Sequence, residues 1–197
     1  MSKGSLFVIS GPSGTGKGTV CAELLKEDNI FLSISATTRD KRVGETEGVT
    51  YYYKDTETFE KMIENGEMLE YAIYSGNYYG TPQKAVTDML DSGKNVILEI
   101  EPQGALKVKE KMPEAVLIFI VPPSIAELRK RLTERGREDD EEIERRISAA
   151  KWEFSQSPKY NHVIVNDDLD TCVGDTLNII KSANDRQQMI EKLLSEI

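Results

Sequence analysis

The twelve residues Ile9 to Val20, ISGPSGTGKGTV, place four glycines, one proline and one lysine directly behind the apolar run Leu6 to Ile9. Gly11 to Lys17 fits the spacing GxxxxGK, with a strand candidate before it and a helix candidate, GTVCAELLKE, after it. That context gives the motif its meaning. Glycines let backbone N–H groups turn inward around an anion, the helix start adds a favourable dipole, and Lys17 brings a cation to the β and γ phosphates. Gly11, Pro12, Ser13, Gly14, Thr15, Gly16, Lys17, Gly18 and Thr19 are therefore the expected ATP cradle, with Lys17 read as a solvated loop lysine that adds little to the core. Gly18 stands where Ser or Thr usually ligates magnesium, and the hydroxyl comes one residue later. Thr19 is the expected metal contact, directly or through water. The competing reading, a glycine-rich turn that binds nothing, is disfavoured by the full spacing.

Outward from this stretch, short apolar and β-branched runs recur at SLFVIS, FLSISAT, NVILEI, AVLIFIV and HVIVN, separated mostly by segments with helical spacing. That alternation predicts an α/β fold, a parallel sheet covered by helices. Ile143, Ile147, Ala150 and Phe154 fall at i, i+4, i+7 and i+11, one buried stripe of a helix over Asp140 to Gln156. Leu169 to Ile197 reads as a final covering helix. Between Arg39 and Gly80 the pattern changes. VTYYYKD and MLEYAIYSGNYYG alternate like antiparallel strands around a helix, TFEKMIENG, that ends at Gly66. The expected organisation is one domain: a core of residues 1–36 and 82–197, a small mixed α/β insert over 37–81, and a lid over 132–145.

At 197 residues the chain can build one substantial core. Its 25 basic against 34 acidic residues give a net charge of -9, which argues against broad contact with nucleic acid or an anionic membrane. Any polyanion it binds is small and held locally. Two distant cysteines, Cys21 and Cys172, and a single histidine, His162, supply no structural zinc set. No apolar run approaches a membrane span or a signal peptide, so the expected location is a reducing cytoplasm.

A glycine loop of this kind serves GTPases, ATPases, transporter subunits and small-molecule kinases alike. The further segments TTRDKRVGE, EYAIYSGNYYGTP, PPSIAELRKRLTERG, RRISAAKWE and VIVNDDLD, in this order, resemble the guanylate kinase family over essentially the whole chain. The resemblance implies a P-loop kinase that moves the γ-phosphoryl group of ATP, with Mg2+, directly onto GMP or dGMP. It implies that Arg39 and Arg42 clamp the GMP phosphate, a task that suits guanidinium forks, with the hydroxyls of Tyr51 and Tyr79. It assigns guanine to Glu70, with Ser35 and Thr81 at the base edge, and adds Glu45 and Glu101 to the GMP-binding set. Adenine would leave the Glu70 acceptor unpaired, an asymmetry that discriminates strongly. Solvated arginines, a core tyrosine and a surface glutamate are the plain alternatives at these positions.

By the same resemblance Arg131, Arg135 and Arg146 close over the triphosphate and act with Lys17 and Arg39 in catalysis, while Asn166 approaches adenine. Arg131 has an ordinary partner four residues back in Glu127. The acidic run EDDEEIE reads as a solvated lid surface, and Asp167 or Asp168 as a cap of the last helix. Glu99 and Glu101 share a face two residues apart. Glu101, where the family usually has aspartate, and the adjoining Pro102 are departures. The partners implied are the small molecules ATP and GMP or dGMP, and the sequence leaves open whether the chain is a homodimer. A different acceptor nucleotide, or a non-catalytic interaction module, are the competing functions. Modules of that kind tend to lose the phosphate cradle that this chain keeps.

Overall fold

The computed structural model describes residues 3–74, 76–134 and 139–195. Five strands, β1 (Leu6–Ser10), β2 (Ile30–Leu32), β7 (Asn95–Glu99), β8 (Val116–Val121) and β9 (His162–Val165), form an all-parallel sheet in the order β2-β7-β1-β8-β9. Phe7 sits opposite Ile97 on one side and Val116 on the other. Parallel pairing requires crossovers, and helices supply them: α1 (Lys17–Leu24), α3 (Gln83–Asp91), α4 (Pro102–Lys111), α5 (Ile125–Glu134) and α6 (Asp140–Ser155), while α7 (Leu169–Ser195) follows the last strand and covers the sheet.

Side chains alternate across a strand, which explains why these runs are apolar throughout. Phe7, Ile9 and Ile97 enter one core with Val20 and Leu24 of α1 and Cys172 and Ile180 of α7. Leu6, Val8, Val96 and Leu98 enter the opposite core with Val86 and Leu90 of α3 and Val108 of α4. Each such side chain removed from water contributes about 1.5–3 kcal/mol before entropy is counted. Both cysteines are free and buried. Among the described residues, no helix is long and apolar enough to cross a membrane.

A second sheet holds β3 (Ala36–Thr37), β4 (Tyr52–Tyr53), β5 (Met68–Tyr74) and β6 (Asn77–Pro82) in the order β4-β3-β6-β5. Helix α2 (Thr56–Glu64) covers it through the buried Phe59, which packs with Ala36 and Met68. Two details differ from the sequence reading. FLSISAT is two strands rather than one: Ser33 N–H still bonds Ile97 O in the core sheet at 2.9 Å, whereas Ser35 O accepts from Tyr52 N at 2.9 Å in the second. VTYYYKD yields only two strand residues, and these pair parallel to β3 rather than antiparallel. The second sheet is mixed because the chain reaches β4 through an irregular loop, not a tight hairpin.

The predicted stripe on α6 is present: Ile143 and Ala150 are buried, and Ile147 and Phe154 pack against them with Leu128 and Leu132 of α5. From Asp139 onward the acidic run is the start of α6. Asp139 caps the helix by accepting from Glu142 N at 2.8 Å, and Asp140, Glu141 and Glu142 fill its first turn, where the helix dipole favours negative charge. Asp168 caps α7 in the same way, accepting from Thr171 N at 2.9 Å.

Candidate active site

The glycine loop leaves β1 at the carboxyl edge of the core sheet, the edge where open α/β sheets present their ligand crevice. Its conformation is imposed from outside. A Cβ at Gly11 would lie 2.2 Å from Ile120 O, and one at Gly16, where φ is +90°, would lie 2.4 Å from Asn166 Nδ2. The buried Asn166 donates to Thr15 O at 2.8 Å, so this residue props the loop from the β9 side. Thr15 Oγ1 donates to Pro12 O at 2.9 Å. Lys17 is buried, 7% exposed, and its ammonium donates to Gly11 O at 2.5 Å and Pro12 O at 3.0 Å. The expectation of a solvated lysine is therefore corrected: the side chain folds back across its own loop because an ammonium at a buried helix start needs acceptors. From α6, Arg146 Nη1 donates to Ser13 Oγ at 2.5 Å, while its Nε bonds Glu142 at 3.3 Å.

Two cavities flank the loop. The first, about 360 Å3, lies between the core and the second sheet, and Lys17, Ser35, Arg39, Arg42, Glu45, Tyr51, Glu70, Tyr79, Glu101 and Arg146 all line it. The structure thus brings together nearly every residue of the predicted GMP set; Thr81 joins them through Glu70. The Glu70 carboxylate is buried, 4% exposed, and accepts from Thr81 Oγ1 at 2.7 Å. Burial raises its pKa above the ordinary carboxylate value, and the Thr81 hydrogen bond, Lys107 and Lys111 oppose that rise. Arg39 grips Glu45 with both arms, at 2.7 and 3.1 Å, and donates to Asp40 O at 2.7 Å. Its guanidinium lies 5.5 Å from the centroid of the Tyr51 ring, with Tyr79 beside it.

Glu45 also accepts from Arg42 N and from Tyr53 Oη, both at 2.8 Å. The Arg39 fork chiefly, with Arg42 N and Tyr53 assisting, holds its carboxyl down at about 2. Glu45 is thereby the hub that fixes the arginine loop, and Arg39 is neither solvated nor loose. Burial pushes the Tyr51 hydroxyl up to about 12, so it stays a proton donor at neutral pH. Glu101 is exposed at the start of α4, and Pro102 occupies the first helical position, where its fixed φ and missing N–H cost nothing.

The second groove, about 400 Å3, is lined by Gly14, Gly16, Thr19, Arg131, Glu134, Asn166 and Asp167. Arg131 is there as expected and carries the predicted bond to Glu127, Nε to Oε1 at 2.9 Å. Arg135 lies outside the described residues. Thr19 faces this groove, whereas the position that faces Glu99 is Gly18, whose added Cβ would lie 3.4 Å from Glu99 Oε1. Among the described residues no group of three or more His, Cys, Asp or Glu could hold a metal ion.

Sequence reasoning missed several members. Tyr74, at the tip of the β5–β6 hairpin, lines the first cleft and meets Tyr79 edge to face at 6.4 Å. Glu153 on α6 has its carboxyl pushed up to about 7 by burial, with Glu101 adding and Lys17 and Arg146 opposing. Its spacing of seven from Arg146 put both on one helix face, the only signal that the sequence offered. Gln103 and Gly104 also line the cleft.

A glycine loop between strand and helix, a cation crossing it and a facing cleft of arginines and tyrosines define a P-loop nucleotide-binding kinase. The chain matches the guanylate kinase family profile over residues 3–183. It is 53% identical over 193 residues to the guanylate kinase of Halalkalibacterium halodurans, covering 96% of this chain and 94% of that protein. With the guanylate kinase of Clostridium tetani it shares 50% over 191 residues, 97% of this chain and 92% of the relative. The crystal structure of guanylate kinase from Anaplasma phagocytophilum superimposes with a TM-score of 0.77 at 39% identity, over 92% of this chain and 86% of that one. This chain belongs to the guanylate kinase family, as the sequence segments indicated.

Proposed function

We propose that the chain transfers the γ-phosphoryl group of ATP to GMP or dGMP. The observation that carries this reading is that one cleft is lined by a buried carboxylate acceptor, Glu70, by the Arg39–Tyr51–Tyr79 cluster, and by Lys17 and Arg146. Guanine offers N1–H and a 2-amino group, and Glu70 is the acceptor for both; adenine has a lone pair at N1 and would leave a buried carboxylate unpaired. Of the five N–H donors of Arg39, Glu45 and Asp40 O engage three and Tyr79 a further one, and the guanidinium so fixed presents its remaining donor to the GMP phosphate. Arg42, Tyr51 and Tyr79 complete that pocket.

The ATP phosphates thread the loop from the second groove, where Asn166 and Arg131 border the adenosine. Reaction is direct: a GMP phosphate oxygen attacks the γ-phosphorus in line, the new O–P bond forms, and the bond to the β-phosphate oxygen breaks to release ADP. The chain supplies no nucleophile. Lys17, Arg131 and Arg146 offset charge on the moving group, and cations so placed are worth on the order of a thousandfold or more in rate. Closure of the insert, residues 37–81, and of the lid, residues 132–145, excludes water that would compete with GMP. Magnesium, carried in with ATP, neutralises charge between the β and γ phosphates. The residues present fit a substrate-borne ion: Glu99, beside Gly18, and Thr19 would hold it directly or through water.

A coupled assay with ATP and Mg2+ across GMP, dGMP, IMP, AMP, CMP and UMP tests the reading. Turnover is expected to be greatest with GMP and dGMP. Equal use of AMP overturns the guanine assignment, and the absence of transfer to any of them overturns the kinase assignment. In this reading the partners are small molecules in the cytoplasm, consistent with a net charge of -9.

A further inference from the structure

Gly104 sits inside α4, where glycine costs about 1 kcal/mol relative to alanine. It is not among the glycines with positive φ, so backbone freedom does not explain it. Space does. A Cβ added at Gly104 would lie 2.7 Å from Glu70 Oε2 and 3.2 Å from Glu70 Cδ. We propose that Gly104 is a specificity-determining positioning residue, which seats the Glu70 carboxylate by leaving it room against the first turn of α4.

The elements on either side hold that gap fixed. On β6, Thr81 stands in register with Glu70 and donates to Oε1, so the carboxylate is bound on the side away from the helix. On α4, Lys107 and Lys111 follow Gly104 at i+3 and i+7, one stripe of the helix. Lys107 Nζ donates to Tyr71 O at 2.6 Å and Lys111 Nζ to Met68 O at 3.2 Å, strand carbonyls on both sides of Glu70. The helix is therefore pinned to β5 across the carboxylate and cannot back away from it. The first intrahelical bond runs from Ala105 N to Glu101 O, so the amides before it lie at the positive end of the helix. That end and the two ammonium groups lie on the carboxylate's side of the helix, and the lysines oppose the rise in pKa that burial imposes on Glu70.

A side chain at 104 meets the flexible end of Glu70 rather than backbone, so the carboxylate moves and the fold stays. The inference rests on the reading that Glu70 recognises guanine, and the variants separate the two. For Gly104→Ala the expected result is a KM for GMP raised about tenfold or more and a GMP-over-IMP preference that collapses, since IMP lacks the 2-amino group. The KM for ATP and the thermal midpoint are expected to stay near the parent's. In Gly104→Ala/Glu70→Asp the shorter side chain withdraws from the new methyl, and part of the GMP preference returns, a non-additive cycle. If Gly104→Ala keeps the parent's GMP:IMP ratio while Glu70→Gln loses it, the guanine reading stands and the role of Gly104 is wrong. If Glu70→Gln keeps the ratio, both fall. Unfolding of Gly104→Ala, or no recovery in the double variant, also overturns the inference, because each places the clash somewhere other than the carboxylate end.

Discussion

Glu153 shows how much chemistry a single side chain can hide from sequence reading. Its carboxyl, at about 7 in the folded chain against an ordinary value of 4.5, is penalised whenever it ionises. A folded-state pKa above the unfolded one means that stability is fully present below about pH 4.5 and is lost as pH rises through 7. Glu153→Gln is therefore expected to match the parent near pH 4.5 and exceed it at pH 8. After solvent screening is allowed for, the gain is on the order of 1 kcal/mol, a few degrees in a melting curve. Parallel melting curves across that range would contradict it. The loop chemistry from Gly11 to Lys17 was legible because its spacing is local. The burial of Lys17, the Glu45 hub and the room beside Gly104 were not, because each depends on a partner brought close only by folding, as with Asn166 and Thr15 at |i−j| of 151.

At the scale of elements, α5 and α6 form the unit that carries Arg131 and Arg146. Leu128 and Leu132 meet Ile143 and Ala150 in a small core, and Gly14 of the phosphate loop lies against it, since its added Cβ would be 2.9 Å from Leu132 Cδ2. Leu128→Ala is expected to cost about 2–5 kcal/mol by chemical denaturation and to weaken ATP more than GMP, because the cavity opens under the donor side. An equal effect on both substrates would contradict that placement. The α6 stripe was visible in the sequence, since a helix buries a periodic face whatever its neighbours. The runs holding β3 and β4 were visible too, but the break between β2 and β3 and the parallel pairing of β4 were not, because two-residue strands carry no periodicity and take their partners from the fold.

For the molecule as a whole, the order of strands and helices followed from the alternation of apolar runs, and family membership from separated segments in sequence. What the linear chain concealed is that one loop lies between two cavities, with Lys17 and Arg146 lining the first and Thr19, Arg131 and Asn166 the second. The central claim is that the two nucleotides meet end to end across that loop. It is tested most directly by calorimetric titration with adenosine and guanosine joined through a pentaphosphate, in the presence of Mg2+. Joining the two halves makes the second contact intramolecular, so binding is expected to be tighter than that of ATP or GMP alone by roughly a hundredfold or more. An affinity no greater than that of GMP by itself would contradict the account.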